Sequence, residues 1–521
     1  MAKPYFLRNI VPRRESRREA RPLLGVLAGL TWIQWAHFFT GWLAWTCDAI
    51  DFYSVSLSVG ALQTEFHRST SVITTTITLT LLFRPVGAAI FGIISDRFGR
   101  KWPLVANLIL LAVLQLGAGF SQTFKQFLAL RALFGIGMGG IWGLGAATAL
   151  ENLPVEARGL ASGVVQQGYA IGCLLAACIN IGLVPNTTVG WRSLFWTASG
   201  ISLFAAFVTA LVPESHIFVR ARAAAKAKGL DSTGRTRVFL RETKMMLRRH
   251  WVLCIYAFLF STGFNFLAHG SQDLYPTYLQ TTKNFTAHNA SVATILGNCG
   301  ALAGGIVAGS VSQYIGRRLT IVIFGCIVAA FIPLWILPST FPALAAGAFC
   351  IQFGVQGLIG VVRKSILHIP LQPLIRCQRD EVPVYLAEIS PPGFRATFPG
   401  TVYQLGNMAS SAASQIEATG GENLRTTVVK DGKVTNVPDY AKARSVQGIV
   451  VGAVVAFTIL VVIFGPENHS LHFEKQKVAF EEGVSQEDAI VEPEGHQDEK
   501  ESSSSRQQSL EEKIEGSARR V

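Results

Sequence analysis

Apolar residues gather along the chain in stretches of about 20, long enough for a helix to cross the hydrocarbon core of a bilayer. Six such stretches lie near residues 34–58, 71–92, 103–121, 127–150, 160–184 and 193–212. Six more lie near 250–279, 291–314, 319–337, 341–362 with a continuation at 382–389, 398–418 and 445–465. The polar segments left over are 1–22, 213–249 and 466–521. The pattern predicts an all-α membrane protein of twelve transmembrane helices, arranged as two six-helix bundles over residues 23–212 and 250–465.

Polar positions inside these stretches carry the chemical signal. Between Trp251 and Leu279 stand Asn265, His269, Gln272 and Asp273. Asn265, His269 and Asp273 follow one another at intervals of four, so they share one helical face. Ionisable groups at membrane depth are costly unless they meet a wet cavity or a partner, and they mark substrate or proton paths. Arg84 interrupts span two, and Asp48 and Asp51 interrupt span one. Gln167 lies in span five, and Gln404 and Asn407, three apart on one face, lie in span eleven.

Composition agrees with the spans. The 521 residues are 50% hydrophobic and 15% charged, with a mean hydropathy of +0.36. The 49 glycines suit closely packed membrane helices. The net charge of +13 does not point to nucleic acid, because the basic residues concentrate beside apolar spans. The eight cysteines and ten histidines form no disulfide framework or zinc spacing, so neither metal nor cofactor is called for. No nucleophile–base constellation appears, and an enzyme is not expected.

Charge also sets the expected topology. Seven Lys/Arg residues against Glu15 and Glu19 in 1–22 place the N-terminus in the cytoplasm. The segment 213–249 is again basic and follows an even number of spans, so it is expected on the same side. The first 22 residues do not have the pattern of a cleavable signal peptide. The tail 466–521 has the composition of a disordered cytoplasmic extension, and the two tails are where cytoplasmic trafficking machinery would bind. Glycosylation triplets at Asn186, Asn284 and Asn289 fall in connections expected outside, whereas the one at Asn468 falls inside.

The two halves repeat each other. Gly92-Ile-Ile-Ser-Asp96-Arg97-Phe-Gly99-Arg100-Lys101 joins spans two and three, and Gly309 to Arg318 joins spans eight and nine as a degenerate copy. One offset relates these loops and also relates Gly140 to Gly357 and Gly143 to Gly360. Beyond Gly360 the offset grows by about twenty residues, so that Glu151, Arg158 and Gln167 match Glu388, Arg395 and Gln404. The added stretch is Arg363–Val382, whose basic residues and two prolines cannot continue a lipid-facing helix. It is either a loop on the cytoplasmic side or translated intron sequence.

The paired loops, with Glu151…Arg158 and Glu388…Arg395, resemble the major facilitator superfamily across nearly the whole membrane core. The glycines Gly92 and Gly99 permit tight turns, and acid–arginine pairs among Asp96, Arg97, Arg100, Glu151, Arg158, Glu388 and Arg395 can latch helix ends as a gate. The stretch Asn265–Thr277 resembles the N-x-x-[S/T]-H-x-[S/T]-Q-D-x-x-x-T signature of fungal lactate-permease-type monocarboxylate:proton symporters, in the sialate:proton symporter branch. It departs at Ala268, where Ser or Thr is expected. Tyr403–Asn407 and the segment around Arg84 resemble the same group.

Residue chemistry and resemblance together give an expected site. Arg84 offers a planar, permanently charged fork for a carboxylate; the alternative is an internal partner such as Asp48 or Asp51. The resemblance implies the first role. Asn265 can bind a substrate oxygen, and His269 and Asp273, one turn apart, can share or relay a proton. For Gln404 and Asn407 the resemblance implies substrate contact; for Gln167 only the repeat argues it. The expected function is proton-coupled uptake of short-chain monocarboxylates such as lactate, pyruvate or acetate at the plasma membrane. Two alternatives stand beside it: a dicarboxylate or sugar-acid carrier, which would need a further buried cation not apparent in the apolar spans, and a nutrient sensor that binds without transporting.

Overall fold

Local sequence signals start the first helices. Thr31 accepts a hydrogen bond from the Gln34 amide, and Gln34 Oε1 accepts one from the Thr31 amide at 2.9 Å. Thr123 and Gln126 repeat this reciprocal cap. The structure is a computed structural model that describes residues 23–214, 248, 251–315, 317–360, 397–423, 425–430, 433–438 and 440–464. The segments 1–22, most of 213–249, the insertion 363–382, the continuation 382–389 and the tail 466–521, for which the sequence sets expectations, lie outside the described residues.

The first half comprises α1 (Leu23–Ala28), α2 (Trp32–Phe66), α3 (Thr70–Phe98), α4 (Lys101–Phe120), α5 (Phe124–Leu150), α6 (Val155–Leu183) and α7 (Arg192–Leu211). The second half comprises α8 (Trp251–Gln272), α9 (Tyr275–Thr281), α10 (Ala287–Ile315), α11 (Arg317–Ile336), α12 (Phe341–Gly360), α13 (Thr397–Ser410), α14 (Ala412–Asn423) and α15 (Tyr440–Phe464). Among the described residues ten helices, with α8 and α9 counted as one, are long and apolar enough to cross a membrane. The exceptions are the six-residue α1, α2, which carries Asp48, Asp51 and other polar residues, and the short pair α13 and α14.

Each half packs around its own apolar core. Phe52, Phe127, Phe134 and Phe195 centre the first, and Phe260, Phe324, Trp335 and Val455 the second. The halves meet where α6 packs on α10, α3 on α13 and α14, and α2 on α9. Thr74 donates to Gln415 at 3.0 Å and Asn180 to Ser291 at 2.9 Å. Both contacts lie toward the end of the bundle that carries the Glu65–Arg192 ion pair. The opposite end carries Arg100 and Glu151.

Two expected spans are interrupted. The helix through the polar stretch stops at Gln272 and restarts at Tyr275, with Pro276 in the first turn of α9. A proline has no N–H for the helical ladder, so it is tolerated where that donor is unsatisfied anyway. The span near 398–418 likewise breaks between Ser410 and Ala412. An antiparallel hairpin is added to the otherwise helical fold: β1 (Arg425–Lys430) pairs with β2 (Lys433–Pro438), Lys430 opposite Lys433. Its sequence, Thr-Thr-Val-Val and Val-Thr-Asn-Val about Asp431-Gly432, is a hairpin signal that a search for apolar spans passes over.

Candidate functional site

The four-residue spacing on α8 stacks Asn265, His269 and Asp273 on one face, and the break after Gln272 brings Asp273 to the end of that column. His269 Nδ1 stands 3.0 Å from Asp273 Oδ2, and His269 Nε2 stands 3.1 Å from Asn407 Oδ1 on α13. The Asn407 amide nitrogen donates to the Tyr403 carbonyl and to Gln404 Oε1, which fixes its oxygen toward the imidazole. Both ring nitrogens therefore face acceptor oxygens, an arrangement that satisfies an imidazole carrying two N–H groups. Ser414 on α14 donates to Asp273 Oδ2 at 3.2 Å.

Gln404 extends this cluster into the other half, donating to the Gly139 carbonyl of α5 at 3.3 Å. Asn265 donates to Ser261 and to the Tyr403 carbonyl, tying α8 to α13. All these side chains are buried. Gln167, also buried on α6, stays apart: neither atom of its amide has a hydrogen-bond partner.

Across the interface lies Arg84. Its guanidinium is 1% exposed and donates through Nη2 to Asp48 Oδ2 at 3.2 Å, while Nε has no partner. Of the two readings open from sequence, internal pairing is present in this structure, and an unused donor remains. Phe52 on α2 separates the charges of the two halves. Its ring centroid lies 5.9 Å from the Arg84 guanidinium and 5.6 Å from the His269 ring. Trp142 stacks on Tyr403 at 5.3 Å beside it.

Several contributors escape sequence reasoning. Phe52, Trp142 and Ser414 look like ordinary span residues, and only the approach of the halves gives them a place. The absence of a second buried arginine does not hold. Arg131 on α5 is 1% exposed, donates to Gln115 Oε1 at 2.8 Å and lies over the Phe134 ring. Near the start of span four an arginine is expected to reach for the interface, but Gln115 turns it inward, within electrostatic reach of Asp51 and Asp48. Asp51 accepts from Ser202 at 2.8 Å.

At the far end, Arg100 pairs with Glu151 at 3.1 Å and also donates to Ser95, while Glu214 accepts from the backbone amides that open α4. Gly99 has φ 98°, which suits glycine at the α3–α4 turn. Gly92 does not turn the chain: it lies inside α3, and a Cβ there would meet nothing described within 4 Å. The side chains of Asp96, Arg97 and Arg158, and the whole of Glu388 and Arg395, lie outside the described residues.

Comparison with known proteins bears on this arrangement. The chain matches the Major Facilitator Superfamily over residues 35–368. It is 34% identical over 452 residues to a carboxylic acid transporter protein homolog of Saccharomyces cerevisiae, covering 85% of this chain and 69% of that one. It is 27% identical to a probable 4-methylmuconolactone transporter of Cupriavidus pinatubonensis, covering 71% of this chain and 79% of that one. The partially occluded inward-open xylose transporter of Escherichia coli superposes with a TM-score of 0.63 at 17% identity, covering 85% of this chain and all of that one. At that identity the likeness concerns the fold alone.

Proposed function

The chain belongs to the major facilitator superfamily of membrane transporters, and from that premise we propose that it carries short-chain monocarboxylates, such as lactate, pyruvate and acetate, inward with a proton. The observation that carries this reading is the facing pair of polar groups: Arg84 with an unused Nε on one side of Phe52, and the Asn407–His269–Asp273 triad on the other. In this reading Phe52, which stands between the two, gives way to a small carboxylate that the cation binds, with Gln404 and Asn407 orienting it and Asn265 bracing the helices that hold them.

Charge supplies the coupling. Arg84 and Asp48 already form a neutral pair, so an incoming anion adds one uncompensated negative charge in a low-dielectric site. A proton on the His269–Asp273 pair cancels it. The same proton removes the opposition of a negative cell interior to anion entry, worth about 2.3 kcal/mol per 100 mV. The bundle then rocks with its Arg100 end toward the cytoplasm and its Glu65 end outside, the side of the glycosylation triplets, with α2 and the α13–α14 pair crossing as spans one and eleven. The Arg100–Glu151 latch steadies the inner ends of α3, α4 and α5. The reading puts the protein in the plasma membrane with both termini inside, as the basic segments 1–22 and 213–249 and the glycosylation triplets support.

Arg131 gives the dicarboxylate alternative a specific footing, because a second buried cation does exist in the first half. Its bond to Gln115, within the bundle, favours a bracing role. Labelled lactate uptake in cells lacking their own permeases separates the readings. The proposal expects uptake that rises as external pH falls, is blocked by pyruvate and is indifferent to succinate. Strong inhibition by succinate would transfer the site to dicarboxylates, and no uptake by a surface-located protein would favour a sensor. Deleting 363–382 in parallel tests whether that segment belongs to the working carrier.

A further inference from the structure

The polar column on α8 does not end at Asp273. One turn past Ser414 on α14 stands Glu417, 7% exposed and buried between α14, α8 and α15 of the second half. Its Oε2 accepts from Gln447 of α15 at 3.5 Å, and Gln447 also donates to the Gly270 carbonyl of α8 at 3.3 Å. Its Oε1 has no hydrogen-bond partner. That oxygen lies against the bare backbone beside His269: a Cβ on Gly270 would come within 3.1 Å of it. Glu417 is within electrostatic reach of Asp273.

The groups around it are few. Asp273, just past the end of α8, lies within its electrostatic reach, and His269 pairs with Asp273. From α15 comes the neutral Gln447; Lys442 and Arg444, in the opening turns of that helix, have side chains outside the described residues. The turns of α3 against α14 contribute Thr74 through Gln415, and the only charge on α3 before Asp96 is Arg84, which Asp48 engages. β2, which also touches α14, carries Lys433, whose side chain is outside the described residues. His269 and Asp273 together form a neutral pair when the imidazole is protonated. An ionised Glu417 is then a surplus buried charge with an empty oxygen, and a proton is the ligand that satisfies it.

We propose that Glu417 is the outer station of the proton path, receiving a proton from the Glu65 end of the bundle and passing it by way of the Ser414 hydroxyl to Asp273 and His269. The transfer is balanced: the Glu417 carboxyl gives its proton to the serine oxygen, the serine gives its own to the Asp273 carboxylate, and Glu417 is left ionised until the outside refills it. Asp273 hands the proton to His269 Nδ1 across their 3.0 Å contact. The direction agrees with the order of the residues, since Gln415, two positions before Glu417, bonds Thr74 near the start of α3 at that end.

This rests on the proton-coupled reading above, and two measurements keep the two claims apart. In vesicles, net lactate uptake driven by a pH gradient requires a proton to be taken up and released each cycle, whereas lactate–lactate exchange at equal pH does not. Wild-type protein without gradient-driven uptake overturns the coupled reading itself. With wild type coupled, Glu417→Gln is expected to lower net uptake at least tenfold relative to exchange, and Glu417→Asp to restore part of it. If Glu417→Gln does not reach the membrane, Ser414→Ala, which removes the bridging hydroxyl at small steric cost, is expected to lower the same ratio severalfold. A wild-type ratio of net uptake to exchange in whichever of these variants reaches the membrane overturns the inference.

Discussion

At the scale of single residues the decisive pair is Arg84 and Asp48. Removing one member of a buried ion pair leaves the other uncompensated, a penalty of about 3–5 kcal/mol. Arg84→Ala is therefore expected to abolish lactate uptake and also to lower the amount of folded protein. The double variant Arg84→Gln with Asp48→Asn removes both charges, so its folded yield should recover while uptake stays at background. Uptake normalised to surface protein checks this; restored uptake in the double variant would show that the guanidinium is not the carboxylate anchor. The polar column was legible in the sequence because Asn265, His269 and Asp273 repeat at helical spacing inside an apolar run. Asn407 was legible too, although its hold on His269 was not. Phe52, Ser414 and Glu417 were not, since each acquires its meaning from a partner more than a hundred positions away or in another helix.

Helices come next, and here close approach decides. Gly139 lies where α5 crosses α3: a Cβ there would come 1.9 Å from the Arg84 carbonyl oxygen. Gly143, one turn further on, would meet nothing within 4 Å. Gly139→Ala should therefore push α3 and α5 apart, displace Arg84 and lower the melting temperature of detergent-purified protein by several degrees, whereas Gly143→Ala should leave both melting and uptake near wild type. Equal behaviour of the two would contradict the packing. The internal repeat had already matched Gly140 to Gly357, and both admit a phenylalanine, Phe91 and Phe324 respectively. The break at Pro276 could be expected from its missing donor. The break at Ser411 could not, because serine continues many helices, and it takes the Ser414–Asp273 contact to show what the interruption positions. A hairpin followed from alternation about Asp431-Gly432, a period that does not register when the chain is scanned for spans.

For the whole molecule, the two bundles touch toward the Glu65 end, and under the proposed function the charge balance at the centre decides what must travel together. Twelve apolar stretches and a basic middle made this architecture readable, and the sequence already offered Asp48 as a partner for Arg84; under the proposed function that neutral pair is what requires an anion to travel with a proton. The direct test is stoichiometry in liposomes that contain only the purified protein and a pH-sensitive dye, with lactate added outside. The account predicts that the lumen acidifies with one proton entering per lactate, at a rate unchanged when a membrane potential is imposed. Lactate entry without acidification, or entry that speeds up when the lumen is made positive, would contradict it.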